Sequence, residues 1–174
     1  MENDERSLFT RVPLCRNFAE TNLKKCTMET EKKLKLLQLF YSGALADASG
    51  NYEKYGIKEQ VTAKKAFEQE AAAKGQLFQL GIESPEQLFR TFSDVFGCID
   101  WKISTSNESV ITEGTSCLLC AIAKKKGISQ PCSMFCINPM TALAGAIDPS
   151  WKLNVRETLW DSGRCRFELT PADR

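Results

Sequence analysis

The sequence predicts an α/β domain of the α+β kind, helical in its first half and mixed in its second. Three observations carry this. From Glu31 to about Gln76, apolar residues recur at three- and four-residue steps. A capped helix with an aromatic stripe follows and closes at Gly97. Beyond Gly97 the apolar period falls to two, the spacing of a half-buried strand.

Residues 1–30 are polar and aperiodic and read as a flexible N-terminal arm, leaving 31–174 as a single domain. Cys15 and Cys26 are isolated in that arm, the pattern of ordinary free thiols. The first helix starts at Glu31, with Leu34, Leu37, Tyr41, Ala44, Leu45 and Ala48 on one face, and stops at Gly50-Asn51. The second runs from about Ile57 to Gln76, with Ile57, Val61, Ala66 or Phe67, and Ala71 inward. Its Lys58, Glu59, Lys64, Lys65, Glu68 and Glu70 form a solvated face. The third has Ser84 as N-cap, Pro85 in the first position and Gln87 closing a capping box. Leu88, Phe89, Phe92, Val95 and Phe96 form its stripe.

Ile99, Trp101 and Ile103 then alternate as a strand, Ser104–Glu108 turn, and Ser109–Thr112 form a second strand. A helix from near Ser116 carries Cys117 and Cys120 and ends at Lys124-Lys125-Lys126-Gly127, where cations complement the exposed carbonyls. Another helix begins at Asn138-Pro139 and runs to about Ile147. Strands near 151–160 and 164–169 finish the chain. Asp161-Ser162-Gly163 read as a three-residue hairpin loop with Gly163 left-handed. That register sets Leu159 opposite Cys165 and brings Glu157 inward, roughly 7 Å from it on the diagonal.

Composition narrows the function. The chain has 174 residues, 43% hydrophobic and 26% charged, with a net charge of +1. No electrostatic footprint for nucleic acid or an anionic membrane exists at that balance. The polar start is neither a signal nor a transit peptide, and the apolar runs are too short to span a bilayer, so a cytoplasmic location is expected. Histidine is absent, which removes Ser-His-Asp and Cys-His catalysis and histidine-held metals. Eight cysteines remain, and in a reducing compartment their clustering points to metal, redox or nucleophilic chemistry. Cys117-x2-Cys120 and Cys132-x3-Cys136, eleven residues apart, resemble the paired thiols of structural zinc sites, with Cys165 close by. Thiolates suit zinc first and an iron–sulfur cluster second. The spacing equally allows Cys120 to be a small hydrophobe within an apolar helix.

The stretch Tyr52-Glu53-Lys54-Tyr55-Gly56 precedes an Ala/Glu-rich helix. Later come the cysteine pair, Cys136, Arg156-Glu157-Thr158-Leu159, Gly163 and Cys165-Arg166-Phe167. Together, over roughly 34–170, these are similar to proteins of the L-2-amino-thiazoline-4-carboxylate hydrolase family. The ending also resembles the 4-vinyl-reductase small-molecule-binding domain. The resemblance implies helices packed on an antiparallel sheet, as in transport-particle subunits. It also implies a metal held by three cysteines and one glutamate, of which Cys136, Glu157 and Cys165 match three. The remaining cysteine position is occupied by Trp160. The implied activity is opening of a small cyclic amidine-like ring by water, with Glu157 as general base. The alternatives are a non-catalytic ligand-binding module stapled by zinc, and an iron–sulfur or thiol redox protein. The expected partners are a small-molecule ligand or substrate and a second copy of the chain, with no nucleic acid and no membrane.

Overall fold

The computed structural model describes residues 23–106 and 109–171, with side chains from Glu29 onward. Residues 1–22 of the expected arm, Cys15 among them, and the side chain of Cys26 lie outside the described residues. The chain divides into two units, Met1–Leu34 and Lys35–Arg174. The described part of the first is helical from Leu23 and carries a Glu29–Lys33 ion pair at 3.5 Å. The second unit contains the fold described below.

Helix α1 (Leu23–Lys54) starts eight residues before the apolar periodicity does. Its inward stripe within the second unit is Ser42, Ala46 and Ser49, not the larger residues beside them. Leu37 is 65% and Tyr41 45% exposed. The helix is thus rotated by about one residue from the apolar face the sequence predicts. Small residues win because they permit close approach. A Cβ on Gly50 would stand 3.0 Å from Ile128 Cδ1, so Gly50 is a contact point within the helix and not its stop.

Helix α2 (Lys58–Leu80) runs four residues past its expected end. Gly81 terminates it with φ 65°, its N–H and that of Ile82 turning back to Phe78 O and Leu77 O. Ala73 and Leu77 are buried, whereas Ile57, Phe67 and Ala71 are exposed. In α3 (Pro85–Thr91) the Ser84 hydroxyl accepts the Gln87 N–H at 3.3 Å, a cap worth about 1 kcal/mol. Gln87 Oε1 accepts from Glu83 N–H at 2.7 Å, closing the box one residue upstream of Ser84. The helix continues as a π-helical turn, Phe92–Phe96, ending at Gly97 with φ 59°. Val95, expected in its apolar stripe, is 47% exposed.

Strands β1 (Lys102–Thr105), β2 (Val110–Gly114), β3 (Trp151–Glu157) and β4 (Cys165–Pro171) form one antiparallel sheet in the order β1-β2-β4-β3. Between them lie α4 (Leu118–Lys125) and α5 (Asn138–Ile147). A second π-helical turn, Ser133–Ile137, leads into α5. The helices cover one face of the sheet, α5 packing on both α2 and β3. Phe89, Phe167, Leu143 and Leu169 are fully buried between the layers, each contributing about 1.5–3 kcal/mol. The other face carries the pairs Arg166–Glu113 and Arg156–Glu168, both at 2.8 Å. The α+β architecture with an antiparallel sheet is therefore present. Among the described residues no helix is long and apolar enough to cross a membrane.

The β3–β4 hairpin departs from expectation. Val155 faces Phe167, two residues from the predicted register, and a bulge at Arg156 then places Glu157 opposite Arg166. The connection spans 158–164 instead of three residues, and Gly163 does not take a left-handed φ. Thr158 organises it. Its hydroxyl donates to Asp161 Oδ2 at 3.1 Å, and its carbonyl accepts Ser162 N–H at 2.9 Å.

A candidate thiol-lined cavity

Between the helices and the sheet lies one cavity of about 370 Å³, and all six cysteines with described side chains line it: Cys98, Cys117, Cys120, Cys132, Cys136 and Cys165. Each arrives by a different local device. Cys117 is the N-cap of α4, its sulfur accepting the Cys120 N–H at 3.5 Å. Cys120 sits one turn further on and is 4% exposed. Cys132 opens the helical segment that becomes α5. Cys136 lies in its π-helical turn, 4.0 Å from the Met140 sulfur. Cys165 begins β4 opposite Gly114, and its sulfur accepts the Leu159 N–H at 3.2 Å. Cys98 follows Gly97 and is tied to Cys117 by the Ile99–Cys117 bridge and by Leu118 N–H on Cys98 O at 2.7 Å. Cys98 was absent from the sequence-derived site; only its position behind a helix-terminating glycine marked it.

Both π-helical turns border this cavity, through Phe92 and Phe96 in one and Phe135 and Cys136 in the other. An inserted residue re-aims side chains that a regular helix would point elsewhere. The wall is mostly apolar, with polar exceptions contributed by α1, α2 and Thr158. Ser42 Oγ and Gln69 Oε1 are buried and have no hydrogen-bond partner. Lys65, expected on the solvated face of α2, lines the cavity instead, with its ammonium 5.9 Å from the Phe135 ring centre.

The thiols differ in acidity. Cys117 is lowered to about 7, chiefly by the hydrogen bond from the Cys98 thiol, with the N–H groups of Cys120 and Leu119 assisting against burial. Cys98 is pushed far up by that same donation and by burial. Burial raises Cys132 to about 12 and also raises Cys120, Cys136 and Cys165, the last partly offset by Leu159 N–H.

Glu157 stands elsewhere. Its carboxylate meets Arg164 Nη2 at 2.8 Å and Nε at 3.1 Å, and Ser162 Oγ donates to it at 3.3 Å. The bulge at Arg156 rotates it to the face shared with Arg166, so the expected approach to Cys165 does not occur. Its neighbours Thr158 and Leu159 line the cavity in its place, and among the described lining residues there is no carboxylate. The five predicted metal ligands Cys117, Cys120, Cys132, Cys136 and Cys165 share the cavity. Even so, among the described residues no three Cys, Asp, Glu or His side chains converge to hold an ion.

Compared with protein-family models, curated proteins and solved structures, the chain matches none.

Proposed function

We propose that this chain is a small-molecule-binding domain whose ligand occupies the thiol-lined cavity. The observation that carries this is the pairing of an apolar enclosure of about 370 Å³ with buried, unpartnered polar atoms on Ser42 and Gln69. Ligand sites combine these features: about 300–1,000 Å³, mainly apolar, with a few placed polar groups. Leaving a polar atom buried and unpaired costs about 1–3 kcal/mol, which a ligand hydrogen bond would recover. The ligand is therefore an apolar molecule with at least one hydrogen-bonding group directed at α1 and α2. A hydrolytic role for the domain would need its proton acceptor from the cavity wall, where the titratable side chains are the thiols, Tyr41 and Lys65, and not Glu157.

The test is saturable binding of an environment-sensitive apolar dye, 1-anilinonaphthalene-8-sulfonate, to folded protein. Ser42→Leu fills the cavity from α1 and removes the orphan hydroxyl, and should weaken binding at least about tenfold, or about 1.4 kcal/mol. Glu157→Gln, outside the cavity, should leave binding unchanged. Absence of saturable binding, or undiminished binding by a folded Ser42→Leu protein, would overturn the reading.

A further inference from the structure

We propose that the cavity takes an apolar organic acid carrying a single negative charge, with its anionic group on Lys65 and a nearby N–H or O–H donated to Gln69 Oε1. This rests on the reading of the cavity as a ligand site. Lys65 and Gln69 stand four residues apart on α2 and so share one face of the helix. Both line the cavity, and both are tied to the π-helical turn Ser133–Ile137. The Lys65 ammonium lies 5.9 Å from the Phe135 ring centre, and Gln69 Nε2 donates to Met134 O at 3.3 Å. A carbonyl only accepts, so the Met134 contact fixes the amide with its nitrogen on that carbonyl. The amide oxygen is then left over, buried and without a partner, and it calls for a donor.

The charge of Lys65 selects the other end of the ligand. Among the described lining residues it is the one cation, and no carboxylate is there to balance it. Its neighbour Lys64 differs in both respects, being 76% exposed and paired with Glu68 at 3.7 Å. Lys65 is half-buried, and an ammonium partly withdrawn from water gains most from an anion that also accepts its hydrogen bonds. The plainer reading is that only the aliphatic stem of Lys65 covers the apolar wall while the ammonium reaches water. Replacing Lys65 by methionine separates the two, because the stem remains and the charge goes.

The rest of the wall limits what the acid can be. A second negative charge would find no further cation among the described lining residues, so the ligand is a monoanion. Its body is apolar, because it lies against Phe135, Phe167, Leu143 and Met140. Ser42 Oγ, buried and unpartnered on α1, can donate or accept and therefore adds affinity without choosing between acids.

The experiment compares two dyes of one skeleton on the full chain: 1-anilinonaphthalene-8-sulfonate, and N-phenyl-1-naphthylamine, which lacks only the sulfonate. Lys65→Met should weaken the sulfonate dye at least about tenfold and change the neutral dye by less than about twofold. Lys65→Gln should do the same, and it carries the test if Lys65→Met does not fold. Lys64→Met, on the solvated face, should alter neither dye. Equal loss of both dyes on neutralising Lys65, or loss of neither, would overturn the anion assignment while leaving the cavity a ligand site. An equal loss of the sulfonate dye in Lys64→Met would overturn it too, since the dye would then be reporting surface charge. Absence of saturable binding by both dyes would instead remove the ligand site itself, and the anion assignment with it.

Discussion

Glu157 and Arg164 are joined two-fold across the β3–β4 connection, Arg164 Nη2 standing 2.8 Å and Nε 3.1 Å from Glu157 Oε1. The pair sits on the outer side of the hairpin, away from the thiols. Arg164 holds the Glu157 carboxyl below its ordinary range. A carboxyl lowered by folding contributes stability above its unfolded pKa, and the contribution fades as acid carries the pH down through the lowered folded value. Glu157→Gln should therefore change the thermal midpoint little at neutral pH, because exposed pairs contribute little. It should leave dye binding intact. Loss of binding in a folded variant would place Glu157 in the working site.

Among the six described thiols, Cys117 should be the fastest towards iodoacetamide. Its labelling rate should rise about tenfold per pH unit below the lowered value near 7 and level off above it, because only the thiolate reacts. Cys132 should label far more slowly at every pH up to 9, being raised to about 12. Since the Cys98 thiol is the main cause of the low value, Cys98→Ala, which removes the donor, should move the Cys117 midpoint upwards. Rates followed by mass spectrometry across pH 6–9 check this, and an unmoved midpoint would show that the helix N-terminus acts alone.

Gly114 leaves room for the residue that ties the site together. A Cβ there would lie 2.5 Å from Ile99 Cδ1 and 2.6 Å from Cγ1. Ile99 is 5% exposed and bridges to Cys117, while Gly114 faces Cys165. Gly114→Ala should destabilise the fold by about 1–3 kcal/mol through overpacking. Displacing Ile99 should also slow Cys117 labelling. Chemical denaturation and the alkylation assay together report both effects.

The chain has eight cysteines, and the six with described side chains are spread around a cavity wall. Added zinc should consequently be removed by a chelator without loss of helical content by circular dichroism. A stoichiometric ion that resists chelation, and whose removal unfolds the protein, would show that the side chains gather around a metal.

Local chemistry was legible in the sequence. Ser84, Pro85 and Gln87 opened α3, Gly97 closed it, and the three lysines before Gly127 marked the end of α4, because caps and terminators act over four or five residues. Alternation placed Cys165, Phe167 and Leu169 on one buried face of β4. Clustered spacing singled out five of the six thiols around the cavity. Tertiary packing decided the rest. The face of α1 followed the small residues Ser42, Ala46 and Ser49, with Gly50 against Ile128, over the larger apolar residues that periodicity favoured. The hairpin register was set by where β4 pairs with both β2 and β3. One extra residue at Arg156 reversed the side on which Glu157 emerges. A strand has a period of two, so a single bulge inverts every expectation beyond it. The Ile99–Cys117 bridge joins residues eighteen apart, and no pattern along the chain encodes that meeting.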